Sequence, residues 1–393
     1  MSPLAFALPL LVGLGARPAA AEDAAADGAC PARPTHPARG GWTAAPPPAA
    51  GSPALQALEA WAFPPRDDAA RAGVRTDGLL VVHRGQIIYE RYGADWTADR
   101  PHLVWSVTKT FVNGLLAVAA REGRFDPDSS VCPALQPANP ALCAATGADL
   151  LSFSSGLAWR ETYEGSPPTV SSVLAMLYGQ GRDDMAAFVG QHPLEAPPGS
   201  FFRYSSGDSV LLSAIARAAL EPRYGPRYAS AALFEPLGIR SAVWEADAAG
   251  TLVGSSWLHL TPRDMARYGL LWLDQGCWDG ARIFPEGWVA RSTQVNPAVR
   301  KDPREWGSGP VQGWQVWLNQ PLPEHGQPQP PLPDAPATAF AALGHWRQAI
   351  WVLPEQDLLV IRTGDDRDDT FTHNELLRLA LAFAAAHPAP EAP

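Results

Sequence analysis

Two hydrophobic runs, Gly78-Leu79-Leu80-Val81-Val82-His83 and Gln86-Ile87-Ile88-Tyr89-Glu90-Arg91-Tyr92, flank Arg84-Gly85 and predict a β-hairpin. Upstream, Ser52-Pro53 carries a capping hydroxyl and a proline suited to a first helical turn, so a short helix is expected through Phe63. Downstream, His102-Leu103-Val104 is an extended run that tips into a helix from Ser106 to about Gly123. Phe111, Leu115 and Val118 lie on its apolar side. From Phe125 to Trp257 the pattern changes to loops and short helices, with Asp208–Leu220 the clearest helix and Ser172–Tyr178 and Asp184–Gly190 weaker ones. Thr261-Pro262 then starts a helix over Asp264–Asp274. Strands return at Gly313–Leu318, Thr338–Leu343, Ala349–Leu353 and Leu358–Thr363, and an amphipathic helix follows over Thr372–Ala385.

Strand-rich segments therefore stand on both sides of a helical middle. Hairpin-sized connections between the later strands favour an antiparallel sheet. The economical fold class is α/β plus all-α: an antiparallel sheet flanked by helices, built from residues 53–124 and 258–388, with a mostly helical domain inserted at 125–257. The proline-rich stretch Pro321–Pro336 is expected to be a solvated loop between strands, in preference to one that overhangs the site.

Composition narrows the function classes. Charged residues make up 18% of the 393 and hydrophobic ones 46%, which reads as globular. A net charge of −10 with no basic cluster argues against nucleic acid as a partner. Residues 1–21 hold an apolar run from Leu4 to Leu14 and end in Ala19-Ala20-Ala21, the pattern of a secretory signal lacking its basic start. That run is too short to span a membrane, so no stable insertion is expected and the protein would be periplasmic or secreted. Residues 22–52, rich in Ala, Pro and Gly, read as a tether. Four cysteines suit export: Cys132 and Cys143 bracket a Pro-rich loop and are the favoured disulfide, with Cys30 and Cys277 as the remaining pair, although the sequence alone does not settle the connectivity.

Candidate chemistry centres on Ser106-Val107-Thr108-Lys109. Residues three apart are neighbours on a helix, so a hydroxyl and an amine there can share a proton. Serine needs an adjacent base to become a nucleophile, and a desolvated lysine can serve. The chain holds only two lysines, Lys109 and Lys301, against 28 arginines, and arginine cannot lose its proton. The spacing alone is weak evidence. Two later motifs strengthen it. Tyr204-Ser205-Ser206 leads into a helix and supplies a possible proton relay, although a tyrosine alone there is more often a buried one with a satisfied hydroxyl. Leu343-Gly344-His345-Trp346-Arg347-Gln348 lies between two strands, where Gly344 allows close backbone approach and the next N–H can face an oxyanion. No Gly-x-Ser-x-Gly elbow, His-Glu-x-x-His helix, phosphate-cradling loop, dinucleotide fingerprint or zinc spacing occurs, and no metal or cofactor is called for.

In this order the motifs resemble the serine β-lactamase and penicillin-binding protein superfamily, nearest to the class C β-lactamase-like hydrolases that include carboxylesterases and 6-aminohexanoate-dimer hydrolase. The similarity spans roughly Gly78 to Ala385. Supporting stretches are Ser154-Ser155-Gly156-Leu157, Leu260-Thr261-Pro262-Arg263-Asp264 and Val352-Leu353-Pro354-Glu355. The resemblance implies a β-lactamase/transpeptidase-like fold, Ser106 as acylated nucleophile, Lys109 as its base and Tyr204 as second acid/base. The backbone N–H groups of Ser106 and His345 would form the oxyanion hole, with Ser206 and Gly344 against the substrate. Here Ala342-Leu343-Gly344 takes the place of Lys-Thr-Gly. In a second register His345-Trp346-Arg347 takes it, with Gln348 as donor.

The departures bear on substrate. Ser206 stands where lactamases have asparagine, and Ala342 removes a carboxylate-binding lysine. Esters or amides of small molecules without that carboxylate are favoured over β-lactams or acyl-D-Ala-D-Ala. A non-catalytic envelope binding protein with the same fold is the competing class. Arg347 would narrow the pocket, bind an acidic group or be merely exposed. Tyr163 is a candidate cleft residue. Trp314 and Trp317 read as core.

Overall fold

The computed structural model describes residues 30, 36–37, 41–46, 51–302 and 310–388. The expected leader at 1–21 lies outside the described residues, as does most of the 22–52 tether.

An eight-stranded sheet draws on both ends of the chain. Its strands are β1 (Thr43–Ala44), β2 (Thr76–His83), β3 (Gln86–Tyr92), β4 (Val311–Gln312), β5 (Trp317–Leu318), β6 (Phe340–Gly344), β7 (Gln348–Leu353) and β8 (Leu358–Gly364). They lie in the order β1-β3-β2-β8-β7-β6-β5-β4. Among the described residues only the β1–β3 pair of this sheet is parallel. The β2–β3 turn matches the sequence reading: Arg84 (φ 50°) and Gly85 (φ 75°) are both left-handed, as the twist of a two-residue hairpin requires.

Every residue of β2 and β8 is buried, because helices cover both faces. Side chains alternate between two cores with the period of a strand. Leu79, Val81, Trp351 and Val360 meet α1 (Pro53–Ala62) and the C-terminal helix α5 (His373–Ala386) through Leu58, Leu376 and Phe383. Leu80, Val82, Ile350, Leu359 and Ile361 belong to the larger core on the other face, around α2 (Thr108–Arg121) and α4 (Pro262–Leu273). Helix α2 is buried at every position from Thr108 to Ala119, so it runs through the interior rather than lying on it. It packs against α3 (Ser206–Tyr224), a 19-residue helix. Ser52, Ser205, Thr261 and Thr372 cap their helices by accepting a main-chain N–H.

Two expectations change. Gly313–Leu318 is not one strand: β4 and β5 pair antiparallel across a bend in which Gln315 adopts φ 57°. The bend is held from below. Thr110 Oγ1 donates to Gln315 O at 2.7 Å, Asn113 Nδ2 donates to Trp314 O at 2.9 Å, and the Gln315 side chain accepts from Ser209 at 2.8 Å. A local pattern cannot reveal contacts more than 100 residues away. Nor is Pro321–Pro336 a freely solvated loop. Leu322, Leu332 and Ala335 are buried, and the Asn319 amide donates to the carbonyls of residues 332, 335 and 336.

Both expected disulfides are present, Cys132–Cys143 and Cys30–Cys277. The second ties the chain ahead of β1 to a residue 247 positions later. No described helix is long and apolar enough to cross a membrane.

Candidate active site

The short strand His102–Leu103 ends in a tight turn before α2. Trp105 takes φ 49°, a sparsely populated region for an aromatic residue, and a 3₁₀ turn over Trp105–Val107 then feeds the helix. This turn sets Ser106 in the lining of a cavity while Lys109, one turn later, is buried at 2% exposure. The amine has three neighbours. Lys109 Nζ lies 3.0 Å from Ser106 Oγ, 3.1 Å from Ser206 Oγ and 2.7 Å from the main-chain oxygen of Ser255. Burial pushes its pKa from 10.5 down to about 8, with the Glu161 carboxylate opposing that fall.

Tyr204 precedes α3 and joins the cluster from the side. Its hydroxyl is within hydrogen-bonding reach of Ser106, and Lys109 Nζ sits 5.1 Å from its ring centre. Burial, reinforced by Glu161, holds this phenol well above the ordinary range, so it is a proton donor rather than a phenolate at neutral pH. Trp317 is only half-buried and stacks on Tyr204 at 5.6 Å, so it braces the site rather than filling the core.

The third motif arrives on the β6–β7 hairpin. A Cβ at position 344 would lie 2.3 Å from Val104 O, so Gly344 is required where the hairpin presses on the chain carrying the nucleophile. His345 and Trp346 line the cavity, whereas Gln348 is fully buried opposite Gly344. The Gln348 amide staples the hairpin, donating to the carbonyls of residues 345, 346 and 364. Arg347 turns away toward Asp369 at 3.4 Å and does not line the cavity. Of the uses open to Arg347 in the sequence, narrowing the pocket is therefore excluded.

The cavity, about 280 Å³, is mainly apolar, walled by Trp105, Tyr163, Val173, Leu174, Leu177 and Trp346. Glu164 and His345, both in its lining, pair at 2.6 Å, and the His345 ring stacks on Tyr163. Among the described residues no group of His, Cys, Asp and Glu is arranged to hold a metal ion.

Sequence reading missed Glu161. Its carboxylate accepts from Trp159 Nε1 at 2.5 Å, Ser206 N at 2.9 Å, Ser206 Oγ at 2.5 Å and the Tyr163 hydroxyl. The available signal was the two-residue spacing of Trp159, Glu161 and Tyr163, which can turn three side chains to one side of an extended segment.

This fold and this cluster define a β-lactamase-type protein. The chain belongs to the Beta-lactamase family, whose model matches residues 35–384. It is similar to the 6-aminohexanoate-dimer hydrolase of Paenarthrobacter ureafaciens, at 24% identity over 235 residues, 54% of this chain and 56% of that protein. The match thus spans little more than half of that curated relative's length. Among solved structures, one described as a putative 6-aminohexanoate-dimer hydrolase from Bacillus anthracis superposes with TM-score 0.63 at 22% identity, covering 80% of this chain and 79% of the other. A family VIII carboxylesterase superposes with TM-score 0.60 at 18% identity, covering 85% and 98%.

Proposed function

We propose that the protein is an exported serine hydrolase that cleaves ester or amide bonds through a Ser-Lys-Tyr acyl-enzyme mechanism. The observation that carries this reading is the 3.0 Å contact between Ser106 Oγ and the amine of Lys109, whose burial lowers its pKa toward about 8. Neutral Lys109 takes the Ser106 proton as Oγ attacks the substrate carbonyl. The main-chain N–H groups of Ser106 and His345 receive the oxyanion, each contributing a few kcal/mol. Tyr204 passes a proton to the departing alcohol or amine and is reprotonated by the Lys109 ammonium, so that neutral Lys109 is again the base when water releases the acyl group. Close packing of Gly344 against Val104 supports His345, rather than Gln348, as the second donor.

The apolar cavity, the acidic groups near it and alanine at 342 favour a neutral acyl group. Two disulfides and the leader-like start support export.

A fluorophosphonate probe tests the chemistry. Intact wild-type protein should gain one adduct, mapped to Ser106 by peptide mass spectrometry, and Ser106→Ala should gain none. A wild-type protein that stays unlabelled sinks the enzymatic reading and leaves the binding protein. Short-chain nitrophenyl esters should turn over faster than a chromogenic cephalosporin; the reverse order would restore the β-lactamase reading. Gly344→Ala, which must push β6 away from Val104, should slow acylation about 10- to 100-fold with an unchanged far-ultraviolet circular dichroism spectrum.

A further inference from the structure

We infer that Glu161 is a positioning residue that fixes the direction of the hydrogen bonds around Lys109, so that the neutral amine turns its lone pair on Ser106. This rests on the assignment of Ser106 and Lys109 proposed above.

The polarity follows from what each atom can do. Trp159 Nε1 and the Ser206 main-chain N–H can only donate, and both point at Glu161 Oε2. The other carboxylate oxygen, Oε1, receives the Ser206 hydroxyl at 2.5 Å and the Tyr163 hydroxyl. A carboxylate only accepts, so the single proton of Ser206 Oγ is committed to Glu161. What Ser206 then shows Lys109, 3.1 Å away, is a lone pair. Ser255 O, 2.7 Å from the amine, also only accepts. A neutral primary amine has two N–H bonds and one lone pair. Ser206 and Ser255 take the two N–H bonds, and the lone pair is left for Ser106 Oγ at 3.0 Å. When the Ser106 proton crosses to nitrogen, the resulting ammonium donates to the same three atoms, and no side chain need move.

Without the carboxylate, the Ser206 proton is free to point at Lys109. The lone pair is then occupied, and an N–H faces Ser106 in an arrangement that cannot abstract a proton. Glu161 also acts by charge. It lies near Lys109, Tyr204, Tyr163 and Asp208 and favours the protonated form of each.

Glu161→Gln is close to isosteric and reverses the polarity. Its carbonyl oxygen must stay with the two obligate donors, so its NH₂ faces Ser206 Oγ and drives the serine proton toward Lys109. Single-turnover acylation by a nitrophenyl ester should slow about 10- to 100-fold, with KM within about twofold of wild type. The acid limb of the pH profile should also move to lower pH. In a Ser206→Ala background, with the rate read on the alkaline plateau where Lys109 is neutral with or without the Glu161 charge, the same substitution should change it less than about threefold, because the hydroxyl through which it orients the amine is gone. Wild-type acylation with an unmoved acid limb in Glu161→Gln overturns the inference, as do Glu161→Gln and Ser206→Ala effects that multiply. Should Glu161→Gln fail to fold, Ser206→Thr against Ser206→Ala decides. Threonine keeps the ordered hydroxyl and must retain most of the rate that alanine loses, and equal rates overturn the inference. Absence of a Ser106 adduct on the wild-type protein is the separate result that removes the underlying assignment.

Discussion

Lys109→Arg should acylate about 10²- to 10⁴-fold more slowly than wild type, the range that a positioned general base supplies. Arginine keeps a positive charge but never yields its proton, so the substitution removes the base without removing the cation. Lys109→Met should lose as much, because its thioether has no proton-accepting role here. The wild-type profile of kcat/KM should rise with pH and level off above about 8, where the buried amine is neutral. A flat profile between pH 6 and 9 would contradict Lys109 as base. The same group shapes stability. Its pKa falls from 10.5 in the unfolded chain to about 8 in the fold, so between those values the unfolded state holds more protons. Stability therefore rises with pH across that window, by about 3 kcal/mol when complete. Lys109→Met should abolish this rise in chemical denaturation series.

Asp208→Asn should stabilise the protein at pH 8 by about 1–3 kcal/mol. Asp208 sits in the first turn of α3 and is fully buried. Its Oδ1 accepts from Ser155 and Ser205 at 2.8 and 2.9 Å, while Oδ2 has no hydrogen-bond partner. Burial, which outweighs those two bonds and a further one from the Ser155 main chain, raises the pKa from 3.8 to about 7. The sign is opposite to that of a salt-bridged carboxylate. The native state keeps its proton up to about pH 7 whereas the unfolded chain releases it near 4, so stability falls as pH rises through this window. Asparagine keeps the Oδ1 acceptor and carries no charge. Denaturant midpoints measured from pH 4 to pH 8 should lose this component of their slope in Asp208→Asn. An unchanged slope would refute the account.

Local chemistry made much of this molecule readable in advance. Ser52 and Thr261 start their helices as expected, because a cap is a contact between residues three apart. The hairpin at Arg84-Gly85 and the proximity of Ser106 to Lys109 are also short-range consequences of backbone geometry. The β4–β5 bend was not readable, since its hydrogen bonds come from α2 and α3. Nor was the turn of Arg347 toward Asp369, because the charged partner for an exposed arginine is chosen by the folded surface.

The chain by itself determined which residues could do chemistry. It holds one serine–lysine pair at helical spacing, a tyrosine ahead of a helix and a glycine between two strands. Only the tertiary structure decided how those groups are wired. Glu161 reaches Ser206 from 45 positions away, and Ser255 O reaches Lys109 from 146. Hydrogen-bond direction depends on every partner around an atom at once. Sequence spacing specifies neighbours along one helix or strand, whereas a buried amine meets atoms from three separate segments.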